Sequence, residues 1–305
     1  MNIQLSVDGP LDVAATLARY RLWGEDPANR VVDDTFFRVA RIDGRLQPYA
    51  VRWRGGVDDM QLTVRVPDAH SAAVRSAVTA EVRKVFGLDF DLPAFYRMAK
   101  ADPALAEIVE ELHGLRPTLT PNALEMLVGS ITAQQVNLTF AFALRGRLVR
   151  RYGTAFPIAE DTVYAFPDAA ALAAADVTEL RTMQFSQRKA EYIRDVARAV
   201  LGGLDLEVLA ATADTSVIER LTALRGLGRW TADWFLARCA GRGDVCPAGD
   251  LAVRKAFDHY YGRGRTLSEA AIRRRAARWG SHQNLAIHYL LADMRRRRAA
   301  AGGGA

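Results

Sequence analysis

At Pro67 the apolar periodicity of this 305-residue sequence switches from two to nearly four, which limits the fold to a sheet-containing unit followed by a helical body. Upstream, TFFRVARI (35–42) runs into Asp43-Gly44, a two-residue hairpin turn, and then into RLQPYAVRWR, where Tyr49, Val51 and Trp53 alternate with Ala50, Arg52 and Arg54. Met60, Leu62, Val64 and Val66 repeat the alternation as far as Pro67, which has no amide with which to extend a ladder. Downstream, Val74, Val78, Val82 and Val85 mark one helical face, and beyond about residue 90 the apolar spacing stays helical with no convincing strand. The expected fold class is mainly α with an N-terminal α+β domain at 1–90.

Thr120 before Pro121 predicts a helix start, with Leu124, Leu127, Val128 and Ile131 as its buried face; Ser216 with Glu219 predicts a capping box on a later helix. The terminal AAAGGGA has no side chains to pack, so 299–305 is expected to be a disordered tail. No run of about 18 uninterrupted apolar residues is present, which excludes a helical membrane span. The N-terminus carries Asp8 and Asp12 without a basic start or a long apolar run, and a cytoplasmic protein is expected. Cys239 and Cys246 are the sole cysteines, too few for a disulfide framework or for the thiolates of an iron–sulfur cluster, so no such cofactor is expected. The net charge of +6 favours a polyanionic partner, because neutralising phosphates releases counterions.

Residues 219–257 carry the chemistry. A helix is followed by the tight turn Leu224-Arg225-Gly226-Leu227-Gly228 and by a second helix from about Arg229. Gly226 and Gly228 permit positive φ and let a phosphate approach the backbone, where the N–H groups of the next helix point at it. Further on, Pro247-Ala248-Gly249-Asp250 sets an aspartate at the start of another helix, where it is either a plain N-cap or a functional carboxylate. The hairpin, loop and aspartate together resemble the helix-hairpin-helix signature of base-excision DNA glycosylases. For such an enzyme Asp250 is the expected catalytic residue, since breaking an N-glycosidic bond builds positive charge on the deoxyribose that a fixed anion stabilises. Trp230 stands where members that form a Schiff base carry a lysine, which disfavours covalent catalysis.

Within that superfamily the chain resembles the bacterial 3-methyladenine DNA glycosylase II family, through LTPNALEMLVGSITAQQVN (119–137), LRGLGRWTADWF (224–235) and VCPAGDLAVRKAF (245–257). The resemblance implies two helical lobes beside a small antiparallel-sheet domain. One lobe spans 91–122 and 243–298 and carries Asp250; the other spans 123–242 and carries the hairpin. It implies a base pocket from Trp230, Trp234, Trp279 and Gln134, with Gln135 as the wedge that fills the gap left by a flipped nucleotide. Gly226, Gly228, Thr231 and Arg229 are the implied contacts to the DNA backbone, and the carbonyls of Thr222, Arg225 and Leu227 the implied ligands of a Na+ or K+ ion. Trp279-Gly280-Ser281-His282 departs from the family pattern and puts that wall of the pocket in doubt, while the arginine runs 273–275 and 295–298 are either phosphate contacts or solvated helix faces. The expected activity is hydrolytic removal of alkylated purines, 3-methyladenine and 7-methylguanine among them, by a monomer acting on damaged double-stranded DNA away from membranes. Two alternatives stay open: a glycosylase for oxidised purines such as 8-oxoguanine, and a non-catalytic DNA-binding protein.

Overall fold

A computed structural model describes residues 2–67, 71–158 and 161–302. The N-terminal alternation folds as one antiparallel sheet of β1 (Asn2–Ser6), β2 (Asn29–Val32), β3 (Thr35–Ile42), β4 (Arg45–Arg54) and β5 (Gln61–Arg65), in the order β1-β5-β4-β3-β2. The β3–β4 turn has the positive φ values that a tight hairpin demands, +49° at Asp43 and +76° at Gly44. Register pairs Phe36 with Val51 and Val51 with Val64, which sets all three on one face. The helix Ala72–Val85 covers that face with Val78, Val82 and Val85, sealing a core fully out of water.

The rest is helical apart from one correction. Strands do occur beyond residue 90: β6 (Thr154–Ile158) and β7 (Asp161–Ala165) form a two-stranded ribbon. Each is five residues long and β6 contains Pro157, so neither shows a clear alternating pattern. The ribbon leans on β3, where Val39 clusters with Val163 and Ala165, and the Tyr164 amide donates to the Pro27 carbonyl at 2.8 Å.

A second tie between sheet and helices is ionic. Glu125, in the buried helix Ala123–Ala133, accepts from Arg38 of β3 at 2.7 Å and from Arg145 at 2.8 Å, while Asn29 of β2 donates to both Asp26 and Glu125. Burial opposes ionisation of Glu125, but the two guanidinium groups outweigh it and hold the carboxyl down to about 2.

Leu124, Leu127, Val128 and Ile131 are buried as expected, yet their helix starts from Asn122, whose side chain accepts the Glu125 amide; Thr120 is not the cap. Likewise the helix Asp214–Thr222 begins after Ala213, so Ser216 lies inside its first turn. Of the expected tail, residues 299–302 continue the helix Gln283–Gly302, as alanines readily do, and 303–305 lie outside the described residues. Among the described residues no helix is long and apolar enough to cross a membrane.

Candidate active site

The helix Asp214–Thr222 and the helix Arg229–Arg238 enclose the glycine turn. Gly226 sits at φ +86°, and a Cβ there would lie 2.3 Å from the Tyr192 ring, so both the backbone angle and the close approach require glycine. Leu227 is buried and pins the turn, while Gly228 caps the second helix without a side-chain acceptor, leaving the first amides of that helix free for an external anion. Gly226→Ala is expected to lower stability by about 1–3 kcal/mol and to displace the turn. Thermal melting and affinity for abasic DNA should fall together; an unchanged affinity would show that the turn does not meet the backbone.

Asp250 caps the helix Leu251–Tyr261. Its Oδ1 accepts the amides of Ala252 at 2.8 Å and Val253 at 3.1 Å, and its Oδ2 accepts the indole N–H of Trp230 at 2.6 Å and of Trp234 at 3.1 Å. Four donors fill the four lone-pair positions of one carboxylate and fix its direction. Trp230 and Trp234 reach the same oxygen because they lie four residues apart on one face of the helix Arg229–Arg238.

This carboxylate borders a cavity of about 200 Å³. The lining draws on all three stretches that the sequence assigns to separate units: residues 19–29, residues 125–145 with Trp230, Trp234 and Arg238, and Asp250 with Thr120, Leu291 and Arg295. Trp230 and Trp234 stand in the lining, although one face of Trp234 is covered by the Arg238 guanidinium, 4.3 Å from the ring centroid, and His288 meets it edge-on. Sequence reasoning missed Tyr20, Trp23, Phe142, Arg19, Arg238 and Arg295 in this wall. Trp23 and Phe142 form a ring pair with centroids 5.4 Å apart.

Three expected site residues are corrected. Trp279 is buried outside the cavity lining; it packs on Phe257 and Tyr261 and donates to Asp102 at 3.1 Å, so the atypical segment that follows it shapes the core. Gln134 caps the helix Ala123–Ala133 and donates to the Gly226 carbonyl at 2.8 Å, bracing the hairpin instead of facing a base. Thr231 is 1% exposed, so its hydroxyl is shielded from a phosphate.

The other expected residues occupy distinct places. Gln135 is exposed with a left-handed backbone, φ +56°. Arg229 is more than half exposed and bonds Asp233 at 2.8 Å. The carbonyls of Thr222, Arg225 and Leu227 accept no hydrogen bond among the described residues, a donor set of the kind an alkali cation takes. Cys239 and Cys246 are buried free thiols, each pushed up to about 12 by burial. Most arginines of the two basic runs are tied to acids: Arg273 to Asp233 and Glu269, Arg275 to Asp102, and Arg296 and Arg297 to Asp293.

The family description "HhH-GPD superfamily base excision DNA repair protein" matches residues 128–282, a stretch that includes both the hairpin and Asp250. The chain belongs to this superfamily. Among HhH-GPD relatives, the DNA-3-methyladenine glycosylase of Bacillus subtilis (strain 168) is 30% identical over 217 residues, covering 71% of this chain and 72% of that one. DNA-3-methyladenine glycosylase 2 of Escherichia coli (strain K12) is 28% identical over 190 residues, 61% of this chain and 63% of its own length. A solved 3-methyladenine DNA-glycosylase from Archaeoglobus fulgidus superposes with a TM-score of 0.85 at 25% identity, over 95% of this chain and 97% of that one. The HhH-GPD match begins within the helix Ala123–Ala133, whereas part of the cavity wall comes from residues 19–29, upstream of it.

Proposed function

We propose that this chain hydrolyses the N-glycosidic bond of alkylated purines in damaged duplex DNA and releases the free base. The observation that carries the reading is the Asp250 carboxylate, oriented by four N–H donors at the wall of a cavity sized for one base. Drug-sized ligands take pockets of roughly 300–1,000 Å³, and this one is smaller. A base flipped into it brings its C1′ to the mouth, where the carboxylate stabilises the cation that forms as the bond stretches. Because every lone pair of Asp250 is already engaged, its part is electrostatic; water attacks the sugar cation without first surrendering a proton to it.

DNA is gripped at the hairpin. The free amides after Gly228 receive a backbone phosphate, Arg229 adds charge beside them, and Gln135 enters the stack as the wedge. A Na+ or K+ ion on the carbonyls of Thr222, Arg225 and Leu227 would stiffen the turn and add positive potential toward the phosphate.

The test is release of 3-methyladenine and 7-methylguanine from methylated duplex DNA. Wild-type protein should liberate both, leaving abasic sites and an unbroken strand; absence of any released base overturns the proposal. Trp230→Phe keeps a ring in the wall but deletes the shorter indole bond to Asp250. Its single-turnover rate should fall by about tenfold, the size expected for a lost hydrogen bond to a charged group.

A further inference from the structure

The outer face of the N-terminal sheet is divided in two. Phe37 and Val39 of β3 and Leu46 of β4 form its apolar half, and the β6–β7 ribbon covers them. Beyond the ribbon the same face carries Arg52 and Arg54 of β4, Thr63 and Arg65 of β5, and Asn2 and Gln4 of β1, which border an open depression of about 740 Å³. Arg52, Arg54 and Arg65 are exposed, and among the described residues none has an acidic partner; Arg54 donates to the Gln61 amide oxygen at 3.0 Å. Asp34 is the single acid among the residues that border the depression. Asp58 and Asp59 of the β4–β5 loop are turned instead to His113 and to the Gly56 amide.

Charge on an edge strand blocks unwanted pairing, but β4 and β5 are each flanked by strands on both sides. A water-facing sheet needs only polar residues, and mixed signs serve it best. Here Arg52, opposite Thr63, and Arg65, opposite Ala50, stand at diagonal cross-strand positions, about 7–8 Å apart, where like charges repel. A polyanion laid across them relieves that repulsion. We propose that this half-face is a second DNA contact, which holds the phosphate backbone away from the lesion and independently of it. Arginine interleaved with Asn, Gln and Thr is the donor set that phosphate oxygens take. A protein partner would need a large apolar anchor, and the half-face offers none: Trp53 belongs by alternation to the other face, where it packs with the sheet core. The depression also adjoins the cavity. Arg21, next to the wall residues Arg19, Tyr20 and Trp23, donates to the carbonyls of Val31 and Asp33 at the turn before Asp34. The inference rests on the reading of this chain as a DNA-binding enzyme, but its readout is affinity and not base release.

Affinity for a long undamaged duplex is measured against salt concentration for wild type, for Arg52→Gln/Arg65→Gln, and for Arg45→Gln/Arg75→Gln, which removes the same charge from exposed positions elsewhere. Each lost phosphate contact lowers the log–log slope by about 0.9, so Arg52→Gln/Arg65→Gln should lose about 1.8 of slope and bind about tenfold more weakly at low salt. Arg45→Gln/Arg75→Gln should keep the wild-type slope. Single-turnover release of 7-methylguanine at saturating protein should be the same in all three, which shows an intact fold and site. An unchanged slope in Arg52→Gln/Arg65→Gln, with base release by wild type, overturns the inference alone. Equal falls in both variants also overturn it and assign the effect to net charge. Polyglutamate that binds wild type but not Arg52→Gln/Arg65→Gln, with duplex affinity untouched, overturns it in favour of an acidic protein. Wild type that binds no duplex removes the DNA reading together with it.

Discussion

Asp250→Asn should cut base release by about a thousandfold while leaving the protein folded and able to bind DNA. Asparagine is as good an N-cap as aspartate, so its amide oxygen can keep the bonds from Ala252 and Val253 and hold the start of the Leu251–Tyr261 helix. Its amide nitrogen then meets the indole N–H groups of Trp230 and Trp234, donors facing a donor. The larger loss is the charge itself. Inside a narrow cavity the countercharge to a sugar cation is screened far less than in water, and among the described residues of the wall the other carboxylates, Asp26 and Glu125, are already paired with arginines. The measurement is single-turnover release of 7-methylguanine beside a binding curve on abasic duplex and a melting curve. A loss below tenfold, with binding and melting retained, would mean that the hydrolytic anion lies elsewhere.

Glu125→Ala should be the most damaging substitution for stability, at about 3–5 kcal/mol, because it leaves Arg38 and Arg145 buried with too few acids. The same group sets an acid limit. Its carboxyl is carried from 4.5 in the unfolded chain to about 2 in the folded one, equivalent to about 3 kcal/mol. Because the folded value is the lower one, that contribution is complete above about pH 4.5 and is lost as pH falls toward 2. Thermal melting between pH 7 and pH 3 should show a steeper acid-side fall for wild type than for Glu125→Ala. Parallel curves would show that Glu125 contributes little of the acid sensitivity.

The strands at 35–65 were legible because each buries one face, which stamps a period of two on the residues, and because Asp43-Gly44 fits few turns. The ribbon of β6 and β7 was not, since it buries only Val163 and Ala165 fully against β3 and so imposes no long pattern. Asp250, Trp230 and Trp234 were legible through the likeness of the hairpin, loop and aspartate to the base-excision signature, with the two tryptophans one helical turn apart. Trp279 shows the limit of that approach: an aromatic ring at a suggestive position is equally at home in the core, and here Asp102 satisfies its N–H. Tyr20 ends a single 3-10 turn, Ala18–Tyr20, and Trp23 follows outside any helix or strand, so no period marks them. The basic run from 295 to 298 looked uniform as letters, but helical rotation separates Arg295, which faces the cavity, from Arg296 and Arg297, which reach Asp293.

The cavity wall joins Arg19, Tyr20 and Trp23 to Leu291 and Arg295, so residues near one end of the sequence complete a chamber begun at the other. During synthesis the hairpin and its aspartate can be folded on the ribosome while the space for a base is still open on one side, and the protein becomes selective only when its last long helix docks.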